Sequence, residues 1–143
     1  MTLVLDASVA LAWCFEDEGG DYPVRVLEAL QDQEAVVSAV WPYEVTNGLV
    51  AAEQRHRLKV WESQEAGKLL LTLPITVDNV PLHRVFDTVR RLARTHHLST
   101  YDAASLELAI RHGLPLATLH LPLRKAVRAE GLEVFGGAAV RGH

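Results

Sequence analysis

Three acidic residues stand where the chain turns from one kind of pattern to another, and acids in such places serve either as helix caps or as metal ligands. Asp6 ends the apolar run Leu3-Val4-Leu5, Glu44 follows Pro42 in the first turn of a helix-forming stretch, and Asp102 opens another such stretch three residues after Ser99. Singly, each has a plain explanation: an acidic side chain near a helix N-terminus satisfies free amides and complements the macrodipole. Ser99 and Asp102 resemble a capping box with Asp in place of Glu. Jointly they pose a charge problem. Carboxylates brought within roughly 4 to 6 Å of one another repel, so one stays protonated unless a cation neutralises them. Oxygen-only ligands suit Mg²⁺ or Mn²⁺, which bind few carboxylates, keep several waters and accept phosphate oxygens. Asp102 also falls on the apolar stripe of its helix with Leu106 and Ile110, where a charged group needs a partner.

Short elements must position these acids. Residues 3–5 suit a strand buried on both faces, and the chain after Asp6 turns to helix-forming Ala and Leu. After an acidic loop at 16–21, Val24, Leu27 and Leu30 recur as the apolar positions of a helix. Residues 35–38 form a second strand, and Val45, Leu49 and Ala52 mark one face of a helix running from Pro42 toward His56. A helix over 60–73 stops at Pro74, residues 75–77 give a third strand, and Val85, Val89 and Leu92 stripe a helix ending near His96. A helix over 100–112 closes at Gly113. A fourth strand over 116–118, a helix over 123–130 ending at Gly131, and a short strand over 132–135 complete the series. Short apolar strands separated by helices predict a three-layer α/β/α domain around a mostly parallel sheet of four to five short strands. In such sheets the functional crevice lies beyond the carboxyl ends of the strands, where the three acids map. The domain is expected over 1–135, with a frayed tail over 136–143.

At 143 residues and 49% hydrophobic composition, the chain suits one domain with a core that needs no staples. The single cysteine, Cys14, forms no intrachain disulfide, so the cytoplasm is the default compartment. The run from Leu3 to Phe15 has no basic leader, carries Asp6 and Ser8, and is too short to span a bilayer; it reads as mature sequence, with no membrane role. A net charge of −4 argues against coating nucleic acid through bulk positive charge. Basic clusters at 55–59, 84–94 and 124–128 read as solvated helix faces, each leaving a local basic patch open. The neighbours His96 and His97 would point about 100° apart on a helix and share no ion. There is no glycine-rich phosphate loop, dinucleotide fingerprint or Gly-x-Ser-x-Gly elbow. A phosphatase with Asp6 as nucleophile lacks the second aspartate two residues on, where Ser8 stands.

Four stretches in this order resemble the PIN domain: Asp6-Ala7-Ser8-Val9-Ala10-Leu11-Ala12-Trp13, Pro42-Tyr43-Glu44-Val45-Thr46-Asn47, Tyr101-Asp102-Ala103 and Leu116-Ala117-Thr118. More narrowly, they resemble the VapC-type toxins of bacterial and archaeal toxin-antitoxin pairs. The resemblance implies a metal-dependent endoribonuclease in which Asp6, Glu44 and Asp102 match the acids that hold Mg²⁺ or Mn²⁺. Asp6 and Asp102 would be direct ligands, and Glu44 either a ligand or the acceptor for the attacking water. Ser8 would orient the first acid and Asn47 hydrogen-bond within the site. Where such proteins carry a fourth acid in a Thr-x-Asp pattern, this chain reads Thr118-Leu119-His120. An imidazole there could ligate Mn²⁺ or hold a metal-bound water; the departure also leaves open a catalytically impaired binding module. The implied partners are an RNA substrate, a cognate antitoxin laying an extended or helical segment over the acidic groove, and a second copy in a homodimer.

Overall fold

Leu3, Val4 and Leu5 are all fully buried, and their alternation decides the architecture. Side chains on a strand point to opposite faces in turn, so Leu3 and Leu5 join one apolar cluster while Val4 joins another. Both faces of β1 (Thr2–Leu5) are therefore covered. The computed structural model describes residues 2–15 and 20–137. In it β1 is flanked by β2 (Glu34–Val37) and β4 (Leu116–Ala117), with β3 (Ile75–Val77) outside β2. The strand order is β3-β2-β1-β4, and every pairing is parallel.

On the Leu3/Leu5 face lie α1 (Ala7–Trp13), α2 (Tyr22–Ala29), α3 (Trp41–Gln54) and α4 (Val60–Leu71). The Val4 face carries α6 (Arg90–His96), α7 (Thr100–His112) and α8 (Leu121–Ala129). The short α5 (Leu82–Arg84) runs into α6 through a π-helical turn over Val85–Val89. This is the expected three-layer α/β/α fold. α1 packs so closely on α3 that a Cβ at Gly48 would stand 2.6 Å from Leu11 Cδ2. That approach draws the two helix starts, and with them Asp6 and Glu44, to one end of the sheet.

Two expectations need correction. Val24 is 52% exposed; the inward stripe of α2 is Tyr22, Val26 and Leu30, one residue out of phase with the predicted face at its start. The last strand is a single parallel bridge between Val134 and Leu116. Leu116 donates to the Glu133 carbonyl and Phe135 to that of Leu116, and β4 is too short to continue the ladder. Residues 16–19 of the acidic loop and 138–143 of the tail lie outside the described residues. Gly137, just before them, is buried and donates to the Val134 carbonyl at 2.7 Å. Among the described residues no helix is long and apolar enough to cross a membrane.

Candidate functional site

Asp6 leaves the carboxyl end of β1 and caps α1, its Oδ2 accepting from the Ser8 amide at 3.3 Å. The same oxygen accepts from Ser8 Oγ at 2.6 Å and from Thr118 Oγ1 at 2.8 Å. Each hydroxyl has one proton to give, and both go to Asp6, so the 3.2 Å contact between the two hydroxyl oxygens carries none. Their lone pairs are used too: Leu119 N donates to Ser8 Oγ at 3.0 Å and His120 N to Thr118 Oγ1 at 3.0 Å. The cap and the site are thus one structure, a buried carboxylate held by a closed set of donors.

Glu44 sits in the first turn of α3, behind Pro42, and no side chain caps that helix. Its pKa is pushed up to about 7, first by burial and then by the negative charges of Asp6 and Asp102. Asp102, in the first turn of α7, is raised by burial and by Asp6, against the opposing charge and hydrogen bond of His120. His120 Nδ1 lies 2.7 Å from Asp102 Oδ2, so the partner expected for an acid on an apolar stripe is the residue that replaces the fourth acid. Ser99 Oγ accepts from the Asp102 amide at 3.1 Å, half of the predicted capping box. The three acids, distant in sequence, therefore share one electrostatic neighbourhood at the carboxyl edge of the sheet. Asn47 is exposed on α3, and its side chain makes no hydrogen bond to the described residues.

Among the described residues no three His, Cys, Asp or Glu side chains are gathered into a ready-made metal cage. The donor set still fits a hard dication. Burial, reinforced by the charges of Asp6 and Asp102, lets Glu44 hold its proton to near neutrality, and Mg²⁺ typically takes one or two carboxylates directly and reaches others through retained waters.

Two groups escaped sequence reasoning. Arg124, in a cluster predicted to face solvent, is buried; its Nε donates to the Thr118 carbonyl at 2.7 Å and its guanidinium lies 4.4 Å from the Tyr22 ring centroid. It braces the strand end that presents Thr118. The available signal was its place beside Leu123 and three residues before Val127, at the edge of the buried stripe. Glu107, 1% exposed, is bonded by Arg84 Nε at 2.5 Å and Arg111 Nε at 2.8 Å, and Arg111 also pairs with Asp78. Here the signal was the Glu107–Arg111 spacing of four on one helix. His96 pairs with Glu130 at 2.7 Å, and His97 ends α6 in a left-handed conformation.

Residues 3–120 match the family profile of the PIN domain. The chain belongs to the PIN domain family. The match ends on His120, so Arg124 and the rest of α8 brace this PIN domain from outside the matched stretch. No curated protein sequence matches the chain. Among solved structures, PAE2754 from Pyrobaculum aerophilum is similar, with a TM-score of 0.70 at 22% identity over 99% of this chain and 97% of that one. VapBC2 from Rickettsia felis, bound to a promoter DNA fragment, gives 0.67 at 16% identity over 94% and 97%. Mycobacterium tuberculosis VapC20, described as a sarcin-ricin loop cleaving toxin, gives 0.66 at 16% identity over 87% and 94%. At these identities the likeness is one of fold.

Proposed function

We propose that this PIN domain is a metal-dependent endoribonuclease, the toxin of a toxin-antitoxin pair. The observation that carries the reading is the gathering of Asp6, Glu44 and Asp102 at one edge of the sheet, where burial first and then the charges of the other two acids raise the Glu44 pKa to about 7. Asp6 and Asp102 would hold Mg²⁺ or Mn²⁺. An ion held there would supply positive charge to offset the negative charge building on a phosphodiester and would lower the pKa of a bound water. Glu44, poised near neutrality, accepts the proton of the attacking water. Ser8 and Thr118 fix the orientation of Asp6 through their two hydrogen bonds to Oδ2. The relatives by fold include a sarcin-ricin loop cleaving toxin, a toxin-antitoxin complex and VapBC2 bound to a promoter DNA fragment; by analogy the chain acts in the cytoplasm, forms a homodimer and is silenced by a cognate antitoxin.

The 2.7 Å contact between His120 Nδ1 and Asp102 Oδ2 favours a second reading, a binding module in which the imidazole takes the place of a metal beside Asp102. Calorimetric titration with Mn²⁺ together with an RNA cleavage assay separates the two. The enzyme binds metal and cuts RNA, and Asp6→Asn loses cleavage by about two orders of magnitude or more. Absence of binding at millimolar Mn²⁺, with no cleavage, leaves the module.

A further inference from the structure

Beside the acids lies a cavity of about 250 Å³ that the chemistry above does not use. One wall is the turn between β2 and α3, through Ser38 and Val40; another is the start of α7, through Tyr101 and Ala104. The first wall leads into Glu44 and the second into Asp102, so the cavity adjoins both acids along the chain. Its interior is apolar, with Val89 and Leu108 contributing. It is smaller than the roughly 300 to 1,000 Å³ typical of pockets for drug-sized ligands, which suits a single planar ring.

Three features narrow the occupant. Ser38 Oγ is buried with no hydrogen-bond partner, a group that costs stability until something supplies one. Tyr101 at the rim is 55% exposed, and Tyr43, the residue before Glu44, is 77% exposed; both offer the aromatic faces on which unstacked bases of single-stranded RNA settle. Arg111, at the far side, is already bonded by Glu107 and Asp78 on several edges, so the cavity offers no free cation to a phosphate. An uncharged ring with hydrogen-bonding edges meets all three conditions. We infer that this cavity is a subsite for one unstacked nucleobase of the RNA, stacked by Tyr101 and hydrogen-bonded by Ser38 Oγ. The inference rests on the ribonuclease reading and adds to it the part that selects sequence.

The test needs neither metal nor turnover. Each of the four nucleoside 5′-monophosphates is titrated into the full chain and followed by amide NMR. At least one should shift Ser38, Tyr101 and Ala104 saturably, more tightly than indole does. Ser38→Ala should weaken that binding several-fold and Ala104→Leu, which fills the cavity, should abolish it while the spectrum stays dispersed. In cleavage assays Ala104→Leu should raise KM about tenfold, equivalent to about 1.4 kcal/mol, leave kcat nearly unchanged, and relax base preference at one position. If no nucleotide moves these amides, or indole binds equally well, the subsite is wrong even where RNA is cut. Nucleotide binding in a chain that cuts no RNA retains the subsite and removes the nuclease.

Discussion

Asp6 is both the cap of α1 and one of the charges that lift Glu44, and a single substitution pulls these roles apart. Asp6→Asn keeps the side chain's shape and removes its charge, so the Glu44 pKa should fall below about 7. Carbon-detected NMR titration of the Glu44 carboxyl reads this directly; an unmoved value would mean that Asp6 and Glu44 do not face each other. Stability follows from the same shift. Between the ordinary glutamate pKa of 4.5 and about 7, the folded chain binds more protons at Glu44 than the unfolded chain does. This contribution is therefore fully present below 4.5 and is lost as pH rises through about 7. In the metal-free protein, urea midpoints should decline across that window more steeply in the parent than in Glu44→Gln. Saturating Mn²⁺ should reverse the difference, because a dication stabilises the ionised form. Identical pH profiles for parent and variant would count against the electrostatic account of the site.

α7 illustrates what a helix contributes beyond its first turn. Burial pushes the Glu107 carboxyl up, and the hydrogen bonds and charges of Arg111 and Arg84 more than cancel it, leaving it below its ordinary value. Glu107→Gln removes the charge that both guanidiniums share, and hydrogen bonds to charged groups are worth about 1.5 to 3 kcal/mol. The variant should lose about 2 to 3 kcal/mol in urea unfolding while retaining metal binding, since no site acid touches this network. A loss under about 0.5 kcal/mol, typical of surface changes, would place the cluster among solvated pairs. Elements with a period were legible from sequence: β1 from its continuous apolar run, the Val45-Leu49-Ala52 face of α3, and α7 to the residue with its glycine stop. The three acids were legible for a related reason, since each stands just before or within the first turn of a helix. What escaped depends on contacts distant in sequence. Arg124 stands at the edge of the buried stripe, but only the Thr118 carbonyl gives its guanidinium a reason to turn inward where its neighbour Lys125 stays solvated. The π-helical turn at Val85–Val89 and the lone Val134 bridge likewise answer to packing rather than propensity.

At the scale of the whole molecule, the charge distribution limits how a polyanion can be held. The chain carries a net −4 and presents carboxylates at the end of its sheet. Two of its basic clusters each give an arginine to the interior: Arg84 to Glu107, and Arg124 to the Thr118 carbonyl and the Tyr22 ring. Arg111 is likewise occupied by Glu107 and Asp78. On the proposed function, binding of RNA would then rely on a dication, on stacking and on a small number of phosphate contacts. Each phosphate contact to a single strand steepens the dependence of log affinity on log salt by about 0.7. Plotted against the logarithm of KCl concentration at fixed Mg²⁺, log kcat/KM for a short RNA should fall with a slope no steeper than about −3. A slope near −6 or beyond would mean that an extended basic surface grips the backbone. In that case the exposed arginines of α6, not the aromatic rim of the acidic end, would mark the path of the RNA.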